Sequence, residues 1–226
     1  INLAFALQSL GLKVGILDAD VYGPSLPKLI NLSEKPKSED GKALIPVEKY
    51  NAQCMSMGFL VDEQTPMIWR GPMVISAIKT MTQKVLWKER DVIIVDMPPG
   101  TGDTQITIAQ KVPLMGAIIV STPQDIALID ARKGINMFEK VHVPVLGLIE
   151  NMSYFICDKC NERHEIFSYG GAKNESVRLG TNFLGEIPIN KDLRICSDKG
   201  KPISVDNPSN EISKIYLEIA KKIESI

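Results

Sequence analysis

The stretch Asp91 to Asp103, DVIIVDMPPGTGD, constrains this chain more than any other. Val92 to Val95 is a short apolar run, and such a run reads as a strand buried on both faces. It ends in Asp96, so a carboxylate stands at the carboxyl end of the strand, where open α/β sheets bind ligands. Pro98, Pro99, Gly100 and Gly102 follow and force the chain to turn sharply. A buried strand, a terminal acid and a glycine-rich turn together fit one half of a site for phosphate and Mg²⁺. The competing reading is an ordinary strand-to-helix turn in which Asp96 serves as a cap.

A second strand, Leu12 to Leu17, also runs out into acids, Asp18-Ala19-Asp20, before the loop Val21 to Ser25. Side by side, the two strands put Asp18, Asp20 and Asp96 around one pocket. Carboxylates gathered in this way are unfavourable unless a cation or water satisfies them. The alternative role for Asp18 or Asp20 is to cap the short segment Ser25 to Ile30.

The remaining pattern alternates strand, turn and helix. Ile1 to Leu10 is helical in period and stops at Gly11. Ser33 to Gly41 reads as an exposed loop. Ala43 to Val47 and Ala52 to Met57 read as a hairpin around Tyr50-Asn51, with Cys54 as a small buried hydrophobe. Trp69-Arg70-Gly71-Pro72 is a loop opening a helix to about Leu86. Further helices are expected from Thr104 to Lys111, from Asp125 to about Val141 and from Gly170-Gly171 to about Leu179. Strands are expected at Gly116 to Ser121, at Val143 to Ile149 with Glu150-Asn151-Met152 at its end, and at Phe183 to Ile187, closed by Pro188. Arg163 to Tyr169 is a short returning strand, Asp192 to Asp198 a helix or turn, and Asn210 to Ile226 an amphipathic closing helix. This order predicts an α/β fold, a doubly wound, mostly parallel sheet flanked by helices. With 226 residues, 44% of them hydrophobic, one sizeable core is affordable, so 1–226 reads as a single domain.

The net charge of −1 gives no electrostatic footprint for nucleic acid or an anionic membrane, and no apolar stretch is long enough to insert into a bilayer. Four cysteines are too few for a secreted disulfide scaffold, which favours an intracellular chain. Two of them, Cys157 and Cys160, share a polar C-x-x-C loop at about 151–169. Such a pair ligates one metal ion or cluster from one side. No second C-x-x-C exists in the sequence. The half-site is completed across a two-fold axis by a second copy, or by His164 and another residue as a zinc knuckle, or the pair is a redox pair, or it holds no metal.

Asp18-Ala-Asp-Val-Tyr-Gly-Pro-Ser25, Trp69-Arg-Gly-Pro72, Asp96-Met-Pro-Pro-Gly-Thr-Gly-Asp103, Ser121-Thr-Pro-Gln124, Glu150-Asn-Met-Ser153 and Cys157-x-x-Cys160 occur in one order. That ordered set resembles the Mrp/ApbC family of iron–sulfur carrier P-loop ATPases, including its mitochondrial complex I assembly branch. The resemblance covers essentially the whole chain. It implies a MinD-like P-loop NTPase fold of the SIMIBI class, a homodimer, slow ATP hydrolysis and a 4Fe-4S cluster bridged by the cysteine pairs for transfer to recipient apoproteins. By position, it implies that Asp96 holds Mg²⁺ through water and that Asp18 and Asp20 lie in a first switch, with Asp20 orienting the attacking water. Gly100, Gly102 and Asp103 would lie near the γ-phosphate, Asn151 would bind adenine, and Pro188 with the residues after it would line the base. Cys157 and Cys160 would ligate the cluster, in a bacterial cytoplasm or a mitochondrial matrix.

One departure is large. The family's glycine-rich loop and first strand have no counterpart in these residues, which is expected to reflect a truncated sequence. ATP binding is therefore expected to be poor for these residues alone. Two other readings predict different chemistry: a MinD/ParA-like positioning ATPase without a cluster, and a zinc-stabilised binding module.

Overall fold

The computed structural model describes residues 1–39, 43–60 and 71–226. The first part of the chain forms α1 (Asn2–Ser9), β1 (Val14–Asp18), α2 (Leu26–Leu29), β2 (Lys37–Glu39), β3 (Ala43–Ile45), β4 (Val47–Lys49), β5 (Ala52–Ser56), α3 (Gly71–Gln83) and β6 (Val92–Asp96). Next come α4 (Asp103–Lys111), β7 (Ala117–Ser121), α5 (Asp125–Lys140), β8 (Val145–Ile156), β9 (Arg163–His164), α6 (Gly171–Leu179) and β10 (Phe183–Ile189). α7 (Lys191–Asp198), α8 (Ile203–Asp206) and α9 (Glu211–Glu224) complete it. The chain gathers into two compact units, 1–99 with 195–208, and 100–194 with 209–226.

The first unit carries a sheet in the order β4-β5-β1-β6. β1 lies parallel to both β5 and β6, and all five of its residues are buried. Its Gly15 is required by close packing, because a Cβ there would stand 3.0 Å from Ile93 and 3.1 Å from Trp87. β4 and β5 form a hairpin with Tyr50 and Asn51 both at positive φ in the turn, but its first strand is Val47–Lys49 and not the expected Ala43–Val47, because Ala43–Ile45 pairs with β2. α1 buries Ala4, Phe5, Ala6 and Leu7, and the Phe5 ring meets Tyr50 edge-on. Each fully buried aliphatic or aromatic side chain of this kind contributes about 1.5–3 kcal/mol.

The second unit carries three parallel strands in the order β10-β8-β7, with β9 added antiparallel to the far end of β8. α9 presents Ile212, Ile219, Ala220 and Ile223 to the interior, as its period predicts. Ile219 lies against Gly185 of β10, where a Cβ would be 2.8 Å away. The Asn210 side chain caps α9 by accepting from Ile212 N–H.

Several expected boundaries shift. Lys37 to Glu39 is not loop but β2, paired with β3, because an edge hairpin needs no apolar run. α3 stops at Gln83, since Leu86 N–H leaves the helix to donate to the Leu44 carbonyl. β6 is not buried on both faces: it is the edge strand of its sheet among the described residues, and Ile93 is 36% exposed. β8 does not end at Ile149 but runs to Ile156, and Pro188 lies buried within β10 and does not close it. α8 follows Pro202 in a segment for which the sequence pattern gave no element. Trp69 and Arg70 lie outside the described residues.

Candidate functional site

In the first unit, Asp18 and Asp96 are register partners on neighbouring parallel strands, so the expected juxtaposition forms. Their environments differ sharply. Asp18 is 1% exposed, and its Oδ2 accepts from Leu26 N–H at 3.0 Å and from Ser56 Oγ at 2.9 Å. Burial pushes its carboxyl above the ordinary range, opposed by those donors. Asp18 thus ties the start of α2 to β5 and faces inward. Asp20 turns into its own loop, where Oδ1 accepts from the N–H groups of Tyr22 and Gly23. Asp96 is exposed at the strand end. One acid is thus exposed at its strand end and its neighbour is pinned inside.

The second unit begins at Gly100, whose φ of +91° suits glycine. Gly102 caps the amino end of α4 in an extended conformation, and Asp103 opens the first turn of that helix. Backbone N–H groups at such a terminus favour an anion.

Asn151 sits inside β8, opposite Ile187 of β10, and its Oδ1 accepts from Met152 N–H at 3.0 Å. Met152 adopts φ +53°, a left-handed value that a non-glycine residue adopts at some strain. Between Asn151 and Phe155, β8 advances four residues while β10 advances two, from Ile187 to Ile189. This bulge turns Ser153 fully inward and re-aims the chain beyond it.

What it re-aims is the β8–β9 hairpin that carries the cysteines. Cys157 N–H donates to the Glu162 carbonyl, and Asn161 N–H, at φ +57°, donates to the Cys157 carbonyl. The turn leaves Cys157 half-buried and Cys160 exposed, both as free thiols. The backbone N–H groups of Lys159 and Cys160 face the Cys157 sulfur and hold its thiol below the ordinary value, with the Cys160 side chain adding to the effect. Cys54, by contrast, is buried, and desolvation pushes it up to about 12. Among the described residues, no three His, Cys, Asp or Glu side chains converge to hold a metal ion.

The family model described as ParA, NUBPL iron-transfer P-loop NTPase, matches residues 1–224. The chain belongs to that family. Among its relatives is an Arabidopsis thaliana protein named "Iron-sulfur protein required for NADH dehydrogenase, mitochondrial". It is 51% identical over 99% of this chain and 72% of its own length. The Dictyostelium discoideum "Iron-sulfur cluster transfer protein NUBPL" is 52% identical over 99% of this chain and 70% of its own length. The Escherichia coli "Iron-sulfur cluster carrier protein" is 47% identical, again over 99% of this chain but only 61% of its own length. A solved nucleotide-binding protein from Archaeoglobus fulgidus, in complex with ADP, is 36% identical. It superposes with a TM-score of 0.79 over 95% of this chain and 84% of its own. The Pyrococcus furiosus cell division ATPase MinD, at 19% identity and TM-score 0.71 over 99% of this chain and 90% of its own, shares the fold.

Sequence reasoning missed the polar chain behind the cysteine hairpin of this NUBPL-family member. Glu150 is fully buried, and its carboxylate accepts from Gly170 N–H at 3.1 Å and Ala172 N–H at 2.8 Å, capping α6. The Ser153 hydroxyl lies 2.6 Å from Glu150 and 3.2 Å from Glu186. Arg163 reaches Glu186 at 3.6 Å. The only hint in the sequence was an acid, Glu150, at the end of an apolar run.

Proposed function

We propose that this chain is an iron–sulfur cluster carrier that receives its cargo between the Cys157–Cys160 turns of two copies and passes it to recipient apoproteins. The observation that carries the reading is the turn itself, two thiols on a projecting hairpin with backbone N–H groups aimed at Cys157. Two thiolates are half of the set that a 4Fe-4S cluster takes. Since no three candidate ligands converge among the described residues of one chain, a second copy supplies the other pair. The names of the relatives support the same cargo.

The nucleotide side of this reading uses the acids and the glycine turn. Asp96, exposed at its strand end, would hold Mg²⁺ through water, and Asp20 would orient the attacking water. Asp18, pinned between Leu26 and Ser56, keeps that switch loop in place. Gly100, Gly102 and Asp103 would serve the γ-phosphate, Asn151 would take adenine, and the residues from Pro188 onward would line the base. ATP with Mg²⁺ supplies a hydrolysable phosphoanhydride whose loss alters how the pair of chains holds the cluster. The setting is the reducing interior of a bacterial cytoplasm or a mitochondrial matrix, consistent with free thiols and with bacterial and mitochondrial relatives. No helix of the described residues is long and apolar enough to cross a membrane.

Anaerobic reconstitution with iron and sulfide tests the proposal. The expected result is roughly four irons and four sulfides per two chains, lost in Cys157→Ser. Zinc at about one ion per chain with no labile sulfide would overturn it in favour of a zinc-stabilised module.

A further inference from the structure

We propose that Arg163 is the positioning residue of the cysteine turn, clamping the hairpin against the body of its unit; this rests on the carrier reading for its consequence but not for its geometry. Arg163 begins β9, directly opposite Ile156, the residue before Cys157. Its guanidinium lies over two rings, 3.9 Å from the centroid of Tyr154 and 4.6 Å from that of Tyr169. It also reaches the carboxylates of Glu186 at 3.6 Å and Glu165 at 3.8 Å. Guanidinium planes stack on aromatic faces where an ammonium only sits as a point charge.

The clamp is anchored deeply. Glu186 shares the Ser153 hydroxyl with Glu150, and Glu150 is fully buried where it caps α6 through Gly170 and Ala172. Tyr169, the second ring over Arg163, immediately precedes Gly170. The contacts therefore close a ring: Arg163, Glu186, Ser153, Glu150, Gly170, Tyr169 and back to Arg163. Every member lies in one unit. A two-residue strand such as β9 has little stability of its own. Without the clamp, the Cys157 N–H bond to Glu162 and the Asn161 N–H bond to Cys157 would be held only by the hairpin's two paired positions.

This assigns Arg163 a role distinct from charge balance, and the variants separate the two. In cluster-free protein, Arg163→Gln is expected to speed amide hydrogen exchange at Cys157 and Asn161 roughly tenfold, the factor carried by one or two lost cation–π contacts. Amides of α9 are expected to exchange as before. Arg163→Lys keeps the charge beside Glu186 but not the double stack, and is expected to recover only part of the protection. In reconstituted protein, the same order is expected for the rate of iron release to an excess of chelator. Unchanged exchange at Cys157 and Asn161 in Arg163→Gln would overturn the proposal, and so would full recovery by Arg163→Lys. If wild-type protein takes up no cluster, the carrier reading fails while the exchange measurement still decides the clamp.

Discussion

Asp18 and Asp96 are in register on adjacent strands, yet they answer to different physics. Asp18 is buried and satisfies Leu26 N–H and the Ser56 hydroxyl, so Asp18→Ala strips two buried donors of their acceptor. The expected loss is about 1–3 kcal/mol. Thermal unfolding reads this as a fall of about 2–4 °C per kcal/mol for a chain of this size. Asp96 is exposed, so Asp96→Ala is expected to leave the melting temperature within about 2 °C of wild type, because surface substitutions usually stay within about 0.5 kcal/mol. Joined to the family's glycine-rich loop, the same variant is expected to lose most ATP hydrolysis, while an unchanged turnover would remove the metal role from Asp96. The sequence showed that both acids end strands; it did not show which one faces inward. That depended on Ser56 and Leu26, which lie 38 and 8 residues away from Asp18. Glu150 was hidden for the same reason, since its partners Gly170 and Ala172 follow it by 20 and 22 residues.

Among elements, α5 and α6 are joined by one buried carboxylate. Glu175 is 3% exposed and receives the Arg132 guanidinium through two bonds of 2.9 Å, with Arg178 of its own helix as its second partner. Those arginines hold its carboxyl down at about 2 against desolvation. A depressed folded-state value means the pairing is fully present above the ordinary carboxylate range and is lost as pH falls toward about 2. Glu175→Gln is therefore expected to lower stability at pH 7 and to flatten the acid limb between pH 4.5 and about 2. Equal acid limbs in the two proteins, followed by circular dichroism, would show that other carboxylates control acid unfolding. Elements with a strong period were legible before any coordinates: β1, β7, α5 and α9 fall where apolar spacing puts them. β2 was not, because Lys37-Ser38-Glu39 carries no apolar signal. The continuation of β8 was not, because Glu150 and Asn151 look like the end of an apolar run, while the bulge at Met152 lets the strand carry on.

At the scale of the whole molecule, the carrier reading links cluster and oligomeric state. One chain offers the pair Cys157 and Cys160, and no third ligand joins them among the described residues. On the proposed reading, two chains share a four-thiolate cluster, and binding free energy for the cluster is at the same time association free energy. The reciprocal must hold: whatever removes the cluster must loosen the pair. Reconstituted protein is therefore expected to sediment near twice the 25.0 kDa chain mass and to shift toward the single-chain mass as a chelator removes iron. Cys157→Ser is expected to stay at the single-chain mass with or without iron and sulfide. Cys54→Ser, which alters a buried thiol held at about 12 and far from any ligand role, is expected to load and associate as wild type does. A cluster-loaded species at the single-chain mass would break the linkage and require all four cluster ligands within one chain. A two-chain species that survives complete iron removal would mean that another surface, and not the cysteine hairpin, holds the copies together.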